Sequence, residues 1–267
     1  MSTDLVGSGP AVGSVAAQLE FKRRWSTTVT AGGWCTIGNP YAAEIISRAG
    51  YDWVCIDAQH GMVDEAGTVG MLQAIAAAGV PALVRVRWNR PEIIGRALDA
   101  GAQGVIVPMV NDPESAAAAV RACRYPPEGQ RSFGPARAAL QAPDFSAAGA
   151  NNAAICMVMA ETVQATAAID DIAGVPGVDG VFVGPSDLAL TEGLPPDLRR
   201  AEPEHVRRIE RVATACEAAE ITAGIFAGAA DTAKFWRERG YRMLATHADA
   251  MLLRLGAHAL LAELHDL

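Results

Sequence analysis

From Thr30 onward, short apolar runs alternate with longer Ala-rich segments, and the alternation repeats eight times. The runs are TAGGWCTIG (30–38), WVCID (53–57), ALVRV (82–86), GVIVPMV (104–110), CMVMAE (156–161), GVFVGP (180–185), TAGIFA (222–227) and RMLATH (242–247). Helical spacing of apolar residues follows each one, over 40–49, 67–79, 91–100, 112–122, 162–173, 204–219, 229–239 and 248–264. Strand then helix, eight times, predicts an α/β chain folded as a (β/α)8 TIM barrel. A doubly wound open sheet is the alternative. It usually has fewer units and calls for a glycine-rich phosphate turn after its first strand, which this sequence lacks.

At 267 residues the chain matches the roughly 250 of a single barrel. Residues 1–16 (MSTDLVGSGPAVGSVA) are rich in Gly, Ser and small side chains, so a disordered tail is expected there and a single barrel domain over 17–267. The GSGPAVG within that tail follows no strand and contains a proline, unlike a dinucleotide loop. A net charge of −8 with scattered arginines offers no basic face for nucleic acid. No apolar run approaches the roughly 18 residues of a membrane span, and the first basic residue is Lys22. These features predict a cytoplasmic protein with no membrane partner. The five cysteines show no C-x-x-C spacing and read as buried thiols of a reducing compartment.

Two connections are longer than a barrel needs. Residues 124–153 and 191–203 are proline-rich, and loops of that length are expected to act as lids or binding loops.

Barrel chemistry sits at the C-terminal ends of the strands. There the sequence places Asp57 with His60 after strand 2, Arg85 on strand 3, Glu161 at strand 5 and Asp187 just past strand 6. Each carboxylate taken alone reads as the cap of the next helix, and Thr162 or Glu161 would serve that purpose near 163. Taken together they say more. Glu161 and Asp187 end neighbouring strands, and two anions brought close repel unless a cation lies between them. With no Cys partner this pair points to a hard divalent ion, Mg²⁺ or Mn²⁺, with Co²⁺ as a further candidate and no organic cofactor. Arg85 supplies fixed positive charge for an oxyanion or carbonyl oxygen. His60 is the candidate general base, and Asp57 is expected to accept from its ring N–H and set its tautomer. His247 ends strand 8 and is a candidate substrate contact, whereas His205, His258 and His265 fall within helices and read as packing or solvated residues. The two lysines of the chain, Lys22 and Lys234, do not end barrel strands, so imine chemistry is excluded.

The segments AGYDWVCIDAQHG, PALVRVRWNRPEIIGRALDAGAQGVIVPMVNDPESAAAAVRACRYPPEGQRSFGP and ETVQATAAIDDIAGVPGVDGVFVGPSDLALTEG resemble the class II, metal-dependent 2-oxo acid aldolases of the HpcH/HpaI type. That group includes the 4-hydroxy-2-oxoheptanedioate and 2-dehydro-3-deoxyglucarate aldolases, and the resemblance runs from about Phe21 to the C-terminus. It implies Glu161 and Asp187 as metal ligands, His60 with Asp57 as a dyad and Arg85 as the catalytic arginine. It also implies a hexamer in which Asp99, near a subunit interface, helps complete a neighbouring site. Departures from the family's habits are Gln59 where Glu is common before the dyad histidine, Met159 where Gln is common, and RSFGP in place of RGVG. The expected reaction is reversible aldol cleavage or addition on a 2-oxo acid such as pyruvate or hydroxypyruvate, with an aldehyde as second partner. Gly184, Pro185 and Ser186 would bind the donor carboxylate, and Trp34, Phe226 and the 124–153 loop the acceptor. The rival readings are citrate-lyase-like work on acyl-CoA, an isomerase or epimerase of a phosphorylated sugar, and a non-catalytic metal-binding barrel.

Overall fold

The computed structural model describes residues 13–197 and 202–265. In chain order the first elements are α1 (Val15–Thr27), β1 (Thr30–Cys35), α2 (Pro40–Ser47), β2 (Trp53–Asp57), α3 (Glu65–Ala77), β3 (Ala82–Arg85), α4 (Pro91–Asp99), β4 (Gly104–Val107) and α5 (Pro113–Cys123). There follow α6 (Ala136–Gln141), α7 (Ala147–Ala153), β5 (Ile155–Ala160), α8 (Val163–Ala167), α9 (Ile169–Ala173), β6 (Gly180–Val183) and α10 (Pro185–Thr191). The chain continues with α11 (Pro203–Ala218), β7 (Thr222–Gly228), α12 (Ala230–Arg237), β8 (Met243–Ala248) and α13 (Asp249–His265). All eight strands are parallel and close into one barrel, with β1 pairing β2 on one side and β8 on the other. The eightfold rhythm of the sequence is therefore a single-domain (β/α)8 barrel.

Strand alternation sorts the side chains into two cores. Trp53, Cys55, Leu83, Ile106, Met157, Phe182 and Met243 fill the barrel interior, while Val54, Ile56, Val84, Val105, Val158 and Val181 face the helices. Gly32 is required by this packing: a Cβ there would stand 2.1 Å from the Trp53 indole, which crosses the barrel at that level. The helices start where short polar caps permit. Asn39, Asp64, Asp112 and Thr162 each accept a backbone N–H from the first turn that follows.

α1 was not expected. Ser14 caps it, and Asp144 accepts the Val15 and Ala16 N–H groups at 2.9 and 3.2 Å, so residues 14–16 of the expected tail begin a helix. Residues 1–12 lie outside the described residues. α1 carries Phe21 and Trp25 into the interior cluster beside Trp53 and closes the bottom of the barrel.

The 124–153 connection also departs from expectation. It lies between a helix and the next strand, so it has to return to the N-terminal face, away from the strand ends that carry chemistry. There it folds into α6 and α7, and Lys22 on α1 donates to the Asn152 carbonyl at 3.0 Å. Arg131 within it is buried, donates to Asp99 at 2.6 Å and lies over the Tyr125 ring. The segment is part of the scaffold and does not line the mouth of this barrel. Residues 198–201 of the second long connection lie outside the described residues.

Candidate active site

β2 and β3 lie side by side with Asp57 opposite Arg85. That register fixes the first part of the site. Arg85 donates Nε to Asp57 Oδ1 at 2.9 Å and Nη2 to Oδ2 at 2.5 Å, a two-point pair. The same carboxylate accepts the Trp34 indole N–H at 3.1 Å and the backbone N–H groups of Gln59 and His60, both at 3.1 Å. Five donors therefore converge on about four lone-pair sites. The expectation that Asp57 holds the His60 ring is corrected here, because Asp57 takes the backbone N–H of His60 and spends its remaining capacity on Arg85 and Trp34. Burial pushes the Asp57 carboxyl up, yet the Arg85 hydrogen bonds and charge, with the His60 and Trp34 donors, hold it below its ordinary 3.8. Asp57 thus stays an anion, and it keeps Arg85 charged although burial opposes that.

Glu161 follows β5 and is 2% exposed. Capping does not account for it, since Thr162 caps α8 by accepting the Ala165 N–H at 3.0 Å. Glu161 Oε1 accepts the Met109 N–H at 2.7 Å, and Met109 adopts a left-handed φ of 55° to aim that group. A Cβ on Gly184 would come within 2.8 Å of Glu161 Oε2, so a larger residue there would displace this carboxylate. Asp187 stands in the first turn of α10. Burial pushes the Glu161 carboxyl from 4.5 up to about 7, the Met109 N–H pulls against the rise, and the charge of Asp187 adds to it. Two carboxylates in this relation repel one another, and their all-oxygen donor set fits a hard divalent ion. Among the described residues no three His, Cys, Asp or Glu converge as a full metal shell. The pair would fill two positions and leave the rest to water and substrate oxygens.

A cavity of about 220 Å³ unites the site. Trp34, Asp57, His60, Arg85, Gly184, Pro185, Ser186, Asp187 and Phe226 all line it, whereas Glu161 is not among its lining residues. His60 is exposed at its rim. Met159, Phe182, Thr36 and Ala248 complete the lining. Phe182 was legible from strand alternation, since it lies two residues before Gly184 on the same inward face. No sequence signal marks Met109, whose contribution is a backbone N–H. His247 is half-buried at the end of β8 and does not line the cavity, and His205 is buried with its Nδ1 2.7 Å from Glu192. Asp99 ends α4 and is held by Arg131 within its own chain.

Comparison with known proteins gives the chain its relatives. The chain is 38% identical to the hydroxypyruvate/pyruvate aldolase of Rhizorhabdus wittichii, over 86% of this chain and 92% of that one. It is 37% identical to the 4-hydroxy-2-oxo-heptane-1,7-dioate aldolase of Salmonella dublin, over 87% and 89% respectively. Among solved structures, an HpcH/HpaI aldolase/citrate lyase family protein from Burkholderia cenocepacia superposes with a TM-score of 0.86 at 36% identity, covering 92% of this chain and 99% of the other. Fold and relatives together define a barrel enzyme of the lyase class, an aldolase. The chain belongs to the HpcH/HpaI aldolase/citrate lyase family, whose model matches residues 31–255.

Proposed function

We propose that the protein catalyses reversible aldol cleavage and addition of 4-hydroxy-2-oxo acids, with pyruvate or hydroxypyruvate as the donor, at a site that holds Mg²⁺ or Mn²⁺. The observation that carries this reading is the Glu161–Asp187 pair, a buried carboxylate pushed up to about 7 beside a second one, Asp187, that lines the cavity together with Arg85 and His60. Held by those two carboxylates, the cation would supply Lewis acidity to the donor's carbonyl oxygen. The protein's own groups do the rest. Arg85 gives two of its five N–H groups to Asp57 and keeps the others for the developing enolate oxygen. Its direction is set in advance by Asp57 and by the Trp34 ring, whose centroid lies 5.1 Å from the guanidinium carbon. Ser186 and the backbone N–H groups after Pro185 face the donor carboxylate. His60 at the rim takes the C4 hydroxyl proton in cleavage and returns it in synthesis, and its exposure leaves that proton free to exchange with water. The scarcity of lysine supports the same reading, since neither Lys22 nor Lys234 lines the cavity.

A homo-oligomer, a hexamer by resemblance, is part of this proposal. α13 starts against β1 and β8, and its apolar residues then stand in solvent, with Leu253 69%, Leu260 59% and Leu264 53% exposed. Tyr41 and Ile45 on α2 and Phe235 on α12 are uncovered as well. Apolar surface on that scale supports burial against a second copy. In such an assembly Asp99 would reach a neighbouring site.

The test is to strip the protein with a chelator and follow cleavage of a 4-hydroxy-2-oxo acid by coupled pyruvate detection. Activity should vanish and return with Mg²⁺ or Mn²⁺. Cleavage indifferent to the chelator would remove the role given to Glu161 and Asp187.

A further inference from the structure

The order of strands around the barrel divides the cavity into two chemically different halves. β3 and, through α10, β6 bring Arg85 and Asp187 to its lining, and Glu161 at the end of β5 forms no wall of it but feels the charge of Asp187. The arc that closes from β7 through β8 to β1 brings Phe226, Ala248 and Trp34, with Thr36 just beyond. Trp34 meets Phe226 edge-on at 5.4 Å and stacks on Phe182 at 5.6 Å, so the floor and far wall form one continuous apolar surface. Phe226 is half-buried, which leaves part of its ring to a ligand. Among the described lining residues Arg85 is the one Lys or Arg, and Asp57 already takes two of its N–H groups.

We propose that this arc is the acceptor subsite, that it takes a small, uncharged, apolar aldehyde, and that Phe226 sets this preference. The inference rests on the aldolase reading. With the donor on the Arg85, Glu161 and Asp187 side and His60 between the halves, the acceptor carbonyl lies near His60 and its substituent is directed onto Phe226, Ala248 and Trp34. An acceptor carrying a second carboxylate would desolvate that charge against aromatic carbon with no partner, whereas an apolar chain loses nothing there. The volume, about 220 Å³, is below the roughly 300–1,000 Å³ of pockets for drug-sized ligands and suits a three-carbon donor with a small acceptor.

The experiment measures kcat/KM of the Mn²⁺-supplied enzyme for pyruvate with butanal, benzaldehyde and succinic semialdehyde, in wild type and in Phe226→Arg and Phe226→Ala. Separately, exchange of the pyruvate methyl hydrogens with deuterated water is followed in wild type without any aldehyde. Wild type should prefer the apolar aldehydes to succinic semialdehyde by on the order of tenfold or more. F226R should collapse or reverse that ratio, and F226A should lower it. The ratio is internal to each protein, so a general loss of activity cancels, and F226A serves if F226R does not fold. Preference for succinic semialdehyde in wild type, or an unchanged ratio in both variants, overturns the proposal while methyl exchange still upholds the aldolase reading. Absence of methyl exchange overturns both.

Discussion

Replacing Asp57 by Asn tests the pairing that organises the site. The side chains of Arg85 and Asp57 are only 11% and 2% exposed, and Asp57 accepts from five N–H groups. Asn removes the charge and turns one acceptor into a donor that faces other donors, leaving the Arg85 cation buried without a counter-ion. Breaking a buried pair from one side costs about 3–5 kcal/mol. In a domain of this size each kcal/mol lowers Tm by roughly 2–4 °C, so the variant should melt on the order of 10 °C below wild type. Urea unfolding gives the free energy directly. Adding Arg85→Met should return part of the loss, with a coupling of about 2 kcal/mol, because the stranded cation is then gone. The pH dependence follows from the direction of the shift. A carboxyl whose folded-state pKa lies below its unfolded 3.8 contributes stability that is present above pH 3.8 and lost as pH falls through the folded value. The difference between wild type and Asp57→Asn should therefore stay level from pH 8 to 5 and shrink in stronger acid. A loss below about 1 kcal/mol, typical of exposed pairs, would refute the reasoning.

Glu161 carries the opposite sign. Raised from 4.5 to about 7, it favours the metal-free fold while protonated, and about 3 kcal/mol of that contribution is lost as pH rises through 7. Metal-free protein should melt lower at pH 8 than at pH 5.5, Mn²⁺ should restore it chiefly at the higher pH, and a pH-independent response would count against the site. Trp34→Phe removes the indole N–H to Asp57 while keeping a ring under Arg85; it should lower kcat more than tenfold with a Tm change of a few degrees, measured by steady-state kinetics and melting. Borohydride added to enzyme with pyruvate should leave the mass of the chain unchanged, since no lysine lines the cavity; a trapped adduct would contradict the metal-based reading. Truncation after Leu252 removes the exposed part of α13 and should reduce the oligomer seen by light scattering, and an unchanged mass per particle would refute assembly through that helix.

Much of the protein was legible before its structure. WVCID is β2 residue for residue, and the other seven runs become strands within a few residues of their expected bounds. Asp57, His60, Arg85 and Asp187 line one cavity because parallel strands deliver their C-terminal ends to one face, while Glu161, buried against the Met109 N–H, does not line it. GVIVPMV stops short as a strand, since Pro108 cannot donate to the ladder and Met109 turns left-handed to serve Glu161.

Period and strand-end chemistry are local properties, recorded in residues within a few positions of one another, and a sequence carries them by itself. Pairing is not local. Asp57 and His60 are three residues apart, but the carboxylate bonds to Arg85, 28 positions on, because the β2–β3 register sets those two side by side. The same holds for the 124–153 segment, whose composition suggested a lid and whose place between α5 and β5 made it scaffold on the opposite face. Sequence alone determined that this chain closes a barrel and which groups end its strands. Register and closure, which join residues far apart in the chain, decided which of those groups hold one another and which remain for the substrate.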